Sequence, residues 1–153
     1  IRRLGRGGGT AAPGLVADRI DPNLLGKIAA RLPRGAIVVA GTNGKTTTSR
    51  MVADALEAAG LRVAHNRSGS NLVRGVASAL ADRATLAGDP RADAGVIESD
   101  EAALPEILRQ VRPRVLLLNN LFRDQLDRYG ELNAIANRWR PALQRLGPET
   151  TVV

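Results

Sequence analysis

A mostly parallel β-sheet with helices on both faces is the fold class this sequence predicts. First, short apolar runs of strand length alternate repeatedly with longer stretches at helical spacing. Second, the run Ala36-Ile37-Val38-Val39-Ala40 is apolar throughout, as in a strand covered on both faces, rather than alternating with polar residues. Third, that run leads straight into a glycine loop, Gly41-Thr42-Asn43-Gly44, and then into a helical pattern beginning Lys45-Thr46-Thr47.

The elements follow in order. Residues 1–35 are expected to form an N-terminal segment with one helix, and 36–153 an α/β domain. Arg6-Gly7-Gly8-Gly9 reads as a flexible loop or linker. Asp21-Pro22 reads as a helix start, with Asp as N-cap and Pro at the first helical position. Leu24, Leu25, Ile28, Ala29 and Leu32 continue at helical spacing until Pro33 stops the helix. After the glycine loop a helix is predicted over 46–59, closed by Gly60. Strands are expected at 61–64, 95–98 and 115–118, and helices at 71–84, 101–111 and 131–146. A turn containing Ser68-Gly69-Ser70 precedes the second of these helices after the loop. The chain starts at Ile1 without Met, and Thr150-Thr151-Val152-Val153 reads as a strand opening, so a longer protein is expected.

Composition narrows the function. The formal net charge is +7, which raises nucleic acid as a partner. The positive charges are scattered Arg with only Lys27 and Lys45 beside them, and there is one Phe, one Trp and one Tyr. Stacking platforms for single strands are therefore missing, and no nucleic-acid partner is expected. Without Cys and with His65 as its one histidine, this stretch has no disulfide framework, thiolate zinc site or paired-histidine metal centre. No segment approaches the roughly 20 apolar residues of a membrane span, and a cytoplasmic protein is expected.

The chemistry lies in the loop. A triphosphate is held by converging backbone N–H groups, which needs glycines for close approach and a helix N-terminus for its free donors. Gly41 and Gly44 supply the approach, Lys45 can reach the β- and γ-phosphates of ATP, and the Thr46 hydroxyl is placed for Mg²⁺. The general phosphate-loop pattern has an earlier glycine where this chain has Val39, so this is the shorter Gly-x-x-Gly-Lys-Thr form. Mg²⁺ also needs a carboxylate, and Glu98 at the end of the third strand is the candidate. Asp100 and Glu101 are open between a functional role and capping the next helix.

Taken together, these residues resemble the Mur ligase central domain, a P-loop NTPase-like α/β fold, and most closely its MurT branch. The matching pieces are Leu4-Gly5-Arg6-Gly7-Gly8, Pro13-Gly14, Ile20-Asp21-Pro22, the GTNGKTTT loop, the stretch from Asn66 to Leu72, Glu98-Ser99-Asp100-Glu101, and the stretch from Asn120 to Glu131. GTNGKT alone would indicate only the broad Mur and folylpolyglutamate ligase group, whereas FRDQLDRYGE is far more specific. The resemblance implies a ligase that uses ATP to phosphorylate a substrate carboxylate, which an amine then converts to an amide. For the MurT branch it implies amidation of the D-glutamate of the lipid II stem peptide, with ammonia from a GatD-type glutaminase partner.

It also implies residue roles. Gly41, Thr42, Asn43, Gly44, Lys45, Thr46 and Thr47 match the triphosphate cradle, and Thr46 and Glu98 the Mg²⁺ ligands. Asn71 matches an Asn near the γ-phosphate and acceptor carboxylate, while Asn120 and Asp124 match positions lining the cleft; Lys45, Asn71 and Asp124 are the expected catalytic set. Many amino-acid-adding relatives have Asp-His-Leu-Asp where this chain has Asp124-Gln125-Leu126-Asp127, so a His that helps hold a second Mg²⁺ is replaced by Gln. A C-terminal domain that completes the site lies outside this chain, so the fragment alone is expected to turn over little. Competing readings are an amino-acid-adding or folylpolyglutamate-type ligase, a non-catalytic nucleotide-binding module, and an ATPase acting on nucleic acid.

Overall fold

The computed structural model describes residues 21–66, 72–85, 87–122 and 131–153. The expected loop at Arg6–Gly9, the matches at 4–8 and 13–14, Ile20, the Ser68-Gly69-Ser70 turn, Asn71 and the Asp124–Asp127 stretch lie outside them. The described elements are α1 (Leu24–Ala29), β1 (Ala36–Ala40), α2 (Lys45–Ala58), β2 (Val63–His65) and α3 (Val73–Ala81). They continue with β3 (Ala94–Glu98), α4 (Leu104–Val111), β4 (Val115–Leu118), α5 (Glu131–Gln144) and β5 (Thr151–Val152).

The strands form one five-stranded sheet in the order β2-β3-β1-β4-β5. Every pairing is parallel, with Val39 opposite Glu98 and Ala40 opposite Leu118. β1 is therefore central, and its apolar run is explained by burial: Val38 and Val39 are fully enclosed. Burying a Val side chain stabilises a fold by about 1.5–3 kcal/mol, so these two positions anchor the sheet. The larger core cluster covers one face and draws on α1, α3, α4 and α5. A smaller one on the other face packs Ala53 of α2 against Val63 and Val96. α1 precedes the boundary expected at residue 35, yet its Leu25, Ile28 and Ala29 belong to the same core as β1.

Helix ends differ from the sequence expectation in instructive ways. α1 starts at Leu24, not Pro22, and its N-cap Asn23 makes no side-chain cap. The Asp21 carboxylate instead accepts the Asn23 N–H at 3.0 Å and pairs with Lys27, forming a turn ahead of the helix. α1 also ends at Ala29, three residues before Leu32, the last expected helical position, in a tightening turn where Arg31 N–H meets Ile28 O and Leu32 N–H meets Ala29 O. α4 begins at Leu104 because Asp100 accepts the Ala102 N–H at 2.9 Å and holds 101–103 as a turn. Helix α2 closes as predicted, with Gly60 at φ 84° just past its C-cap.

At the opposite end of the sheet from the glycine loop, Arg62 grips Asp93 through Nη2 at 2.8 Å and Nε at 3.1 Å, and its backbone N–H adds a third bond. The guanidinium, then the backbone donor, hold the Asp93 carboxyl down at about 2. An unfolded Asp titrates near 3.9, so this pair contributes stability above about pH 4, and the contribution fades as pH falls toward about 2. The stability difference between the native chain and Arg62→Ala should accordingly shrink across that window in urea unfolding. A difference independent of pH there would exclude the pair as the cause.

Candidate active site

The parallel order brings the C-terminal ends of three adjacent strands together. Loops leaving β1, β3 and β4 supply 41–47, 98–101 and 119–122, the crevice where open α/β sheets bind ligands. Gly41 has φ 139° and Gly44, the N-cap of α2, has φ 79°. A Cβ on Gly41 would stand 2.8 Å from the Asn120 carbonyl oxygen, so the loop and the 119–122 segment touch backbone to backbone. Both glycines are thus required by conformation, and Gly41 also by space.

The loop is braced by the segment after β4. Thr42 N–H donates to Asn120 O at 2.9 Å, and Asn43 N–H to Asn120 Oδ1 at 2.9 Å. Asn120 Nδ2 returns a bond to Asn43 O at 3.1 Å. Phe122 N–H donates to the Thr42 hydroxyl, and Asn119 Nδ2 to Thr48 Oγ1 at 3.0 Å. Both polar atoms of the Asn120 side chain are therefore engaged in holding the loop. The amides of Thr42 and Asn43 are engaged too. Donors left facing outward are those of Gly44 and the first turn of α2, Lys45 to Thr47, which have no backbone acceptor among the described residues. They converge at the positive end of a 14-residue helix, the arrangement that binds phosphate.

Lys45 folds back over this loop. Its Nζ lies 2.6 Å from Gly41 O and 3.0 Å from Thr42 O, and 3.7 Å from the Glu101 carboxylate. Its side chain is only 13 % exposed, so the ammonium is held at the mouth of the loop rather than in open solvent. The carbonyl of Glu101 accepts a bond from Trp139 Nε1 at 2.8 Å, which ties α5 to the same corner. The two residues left open between capping and function divide: Asp100 caps the turn, and Glu101 faces Lys45.

Glu98 is 4 % exposed, and its Oε1 accepts the Thr46 hydroxyl at 3.1 Å. Adjacent ligands of an octahedral ion with bonds of 2.0–2.1 Å lie about 2.9 Å apart. Two hard oxygen donors at this separation fit Mg²⁺, and Thr46 and Glu98 are the residues that would hold it. Among the described residues no group of three or more His, Asp and Glu side chains converges as a full protein cage. Asn66, quoted in the sequence only as part of a matching stretch, is buried here and bonds the Glu98 backbone on both sides. Asn119, which braces the loop through Thr48, carries no motif of its own in the sequence either. A carboxamide directly after a strand, able to stand in for a peptide group, is the signal that marks both.

A parallel sheet whose central strand feeds a Gly-x-x-Gly-Lys-Thr loop, with a strand-end carboxylate against the Thr, is an α/β arrangement suited to holding phosphate. Comparison with known proteins narrows the class, since residues 39–153 match the Mur ligase middle domain. The chain belongs to the Mur ligase family. It is 35 % identical over 139 residues to the lipid II isoglutaminyl synthase (glutamine-hydrolysing) subunit MurT of Staphylococcus aureus strain COL, covering 91 % of this chain and 31 % of that protein. The corresponding MurT of Streptococcus pneumoniae strain R6 is 34 % identical over 154 residues, covering all of this chain and 33 % of the relative. A UDP-N-acetylmuramate–L-alanine ligase of Thermobifida fusca is 33 % identical over 136 residues, 88 % of this chain and 26 % of the relative. A crystal structure of MurF from Acinetobacter baumannii superposes with a TM-score of 0.67 over 86 % of this chain and 30 % of its own, at 20 % identity, a likeness of fold. The chain spans about a third of the length of the MurT relatives it matches.

Proposed function

We propose that this chain is the ATP-binding part of a cytoplasmic amide-forming ligase subunit of peptidoglycan synthesis, with 36–153 as the nucleotide-binding unit and α1 as its support. The γ-phosphoryl of ATP passes to an oxygen of the D-glutamate carboxylate in the lipid II stem peptide, breaking the bond to ADP. Ammonia from a GatD-type glutaminase then attacks the acyl carbon. The C–N bond forms, phosphate leaves with the carboxylate oxygen, a proton is lost from nitrogen, and isoglutamine results. A carboxylate is a poor electrophile, and phosphorylation provides the leaving group it lacks.

Residues of this chain divide the work. The amides of Gly44 to Thr47 hold phosphate oxygens, with Thr42 and Asn43 shaping the loop, and Lys45 follows the charge that builds on the transferring group. Thr46 and Glu98 would hold Mg²⁺, which when bound spreads the negative charge of the triphosphate. Asn71 and Asp124 are assigned to the acceptor side of the cleft, and Asn120 to its wall. One observation carries the reading: the built phosphate cradle lies within a chain matched along nearly its whole length by two MurT proteins.

The discriminating experiment uses the full-length protein with a GatD-type glutaminase, glutamine, ATP, Mg²⁺ and lipid II, with the lipid product analysed by mass spectrometry. Amidation without amino-acid incorporation is the expected result. Incorporation of a free amino acid would replace this reading with an amino-acid-adding ligase, the second reading that the Thermobifida fusca relative supports.

A further inference from the structure

The ladder between β2 and β3 ends with His65 opposite Val96, two residues short of Glu98. Beyond that point a side chain takes over the pairing. Asn66 Oδ1 accepts the Glu98 N–H at 2.8 Å, and Asn66 Nδ2 donates to Glu98 O at 2.9 Å. A carboxamide has one donor and one acceptor arm in the same plane, as a peptide unit does, so Asn66 imitates one further residue of strand pairing. It is 4 % exposed, as is Glu98, so both bonds form away from competing water. On the other side, Ser99 N–H is held by Val39 O at 2.9 Å. The backbone carrying the carboxylate is thereby gripped from both neighbouring strands. With its backbone fixed, Glu98 presents Oε1 to the Thr46 hydroxyl.

We propose that Asn66 is the positioning residue for the metal-binding carboxylate, acting through Glu98 rather than by touching nucleotide or metal. This rests on the reading of Thr46 and Glu98 as the metal pair, and it holds whichever acceptor the enzyme amidates. Partners that orient metal ligands typically change metal affinity about 10- to 100-fold when removed. Asn66→Ala deletes both bonds. Asn66→Asp keeps the shape and an acceptor for the Glu98 N–H, but turns a second oxygen toward the Glu98 carbonyl where a donor stood.

The test uses the full-length protein, with Mn²⁺ as probe in the presence of ADP, followed by electron paramagnetic resonance. Glu98→Gln serves as reference, ADP binding is measured separately in EDTA, and folding is checked by circular dichroism. Both Asn66 variants are expected to weaken Mn²⁺ by about 10- to 100-fold in the same direction as Glu98→Gln, with metal-free ADP binding unchanged. Native Mn²⁺ affinity in either folded Asn66 variant, with Glu98→Gln weakened, would overturn the positioning role alone. Equal loss of metal-free ADP binding would make Asn66 a merely structural residue. Native Mn²⁺ affinity in Glu98→Gln would remove the metal pair itself, and the inference with it, while leaving the amidation assay to judge the function separately.

Discussion

Lys45→Ala is expected to lower ATP-dependent amidation by the full-length complex by about 10³-fold or more, while the protein remains folded. The ammonium already sits at the mouth of the loop, held by Gly41 O, Thr42 O and the Glu101 carboxylate. A triphosphate arriving at the α2 N-terminus offers it oxygens of higher charge than those two carbonyls. The exchange costs little in the ground state and gains most when charge migrates toward the leaving group. Removing the ammonium leaves two loop carbonyls and the Glu101 carboxylate without it, so unfolding free energy should fall by no more than about 1–3 kcal/mol. Steady-state phosphate release beside thermal unfolding checks both halves. Full activity in a folded Lys45→Ala complex would mean the loop does not do this chemistry.

Glu98→Gln should raise the Mg²⁺ concentration needed for half-maximal turnover by about tenfold or more, without lowering stability in the absence of metal. The carboxylate is buried, and among the described residues no cationic side chain pairs with it. Its Oε1 has the Thr46 hydroxyl as donor. An anion kept in such a place opposes folding until a cation neutralises it, and a neutral amide of the same shape removes that cost. The native protein should therefore gain more from Mg²⁺ in thermal unfolding than Glu98→Gln does. An unchanged Mg²⁺ titration would remove Glu98 from the metal site.

Strands and helices that announce themselves locally were legible in the sequence. β1 and β4 lie where their apolar runs placed them, and α2 runs from the glycine loop to Gly60 because both ends carry backbone-specific residues. Helix starts were less legible where short polar side chains compete for nearby amides. Asp21 and Asp100 each bond an N–H two residues on, and in both places the regular helix begins later than the pattern suggested. Asn71 and Asp124 lie outside the described residues, and their roles rest on the resemblance.

What the sequence determined by itself is the glycine loop: Gly-x-x-Gly-Lys-Thr after a buried strand, with Glu98 closing another. Such signals are local, because φ at Gly44, the free amides of a helix start and the apolarity of a strand depend on near neighbours. Only the tertiary structure decided that β3 and β4 flank β1, and hence which strand ends meet. Only it showed that Asn120 spends both arms on Asn43, 77 positions away, and that Asn66 grips Glu98 across 32. Those bonds join carboxamides to backbone groups that every residue possesses, so no residue type at the far end marks the partner. The choice is made by sheet order and burial, where an amide in the right place can replace a missing strand.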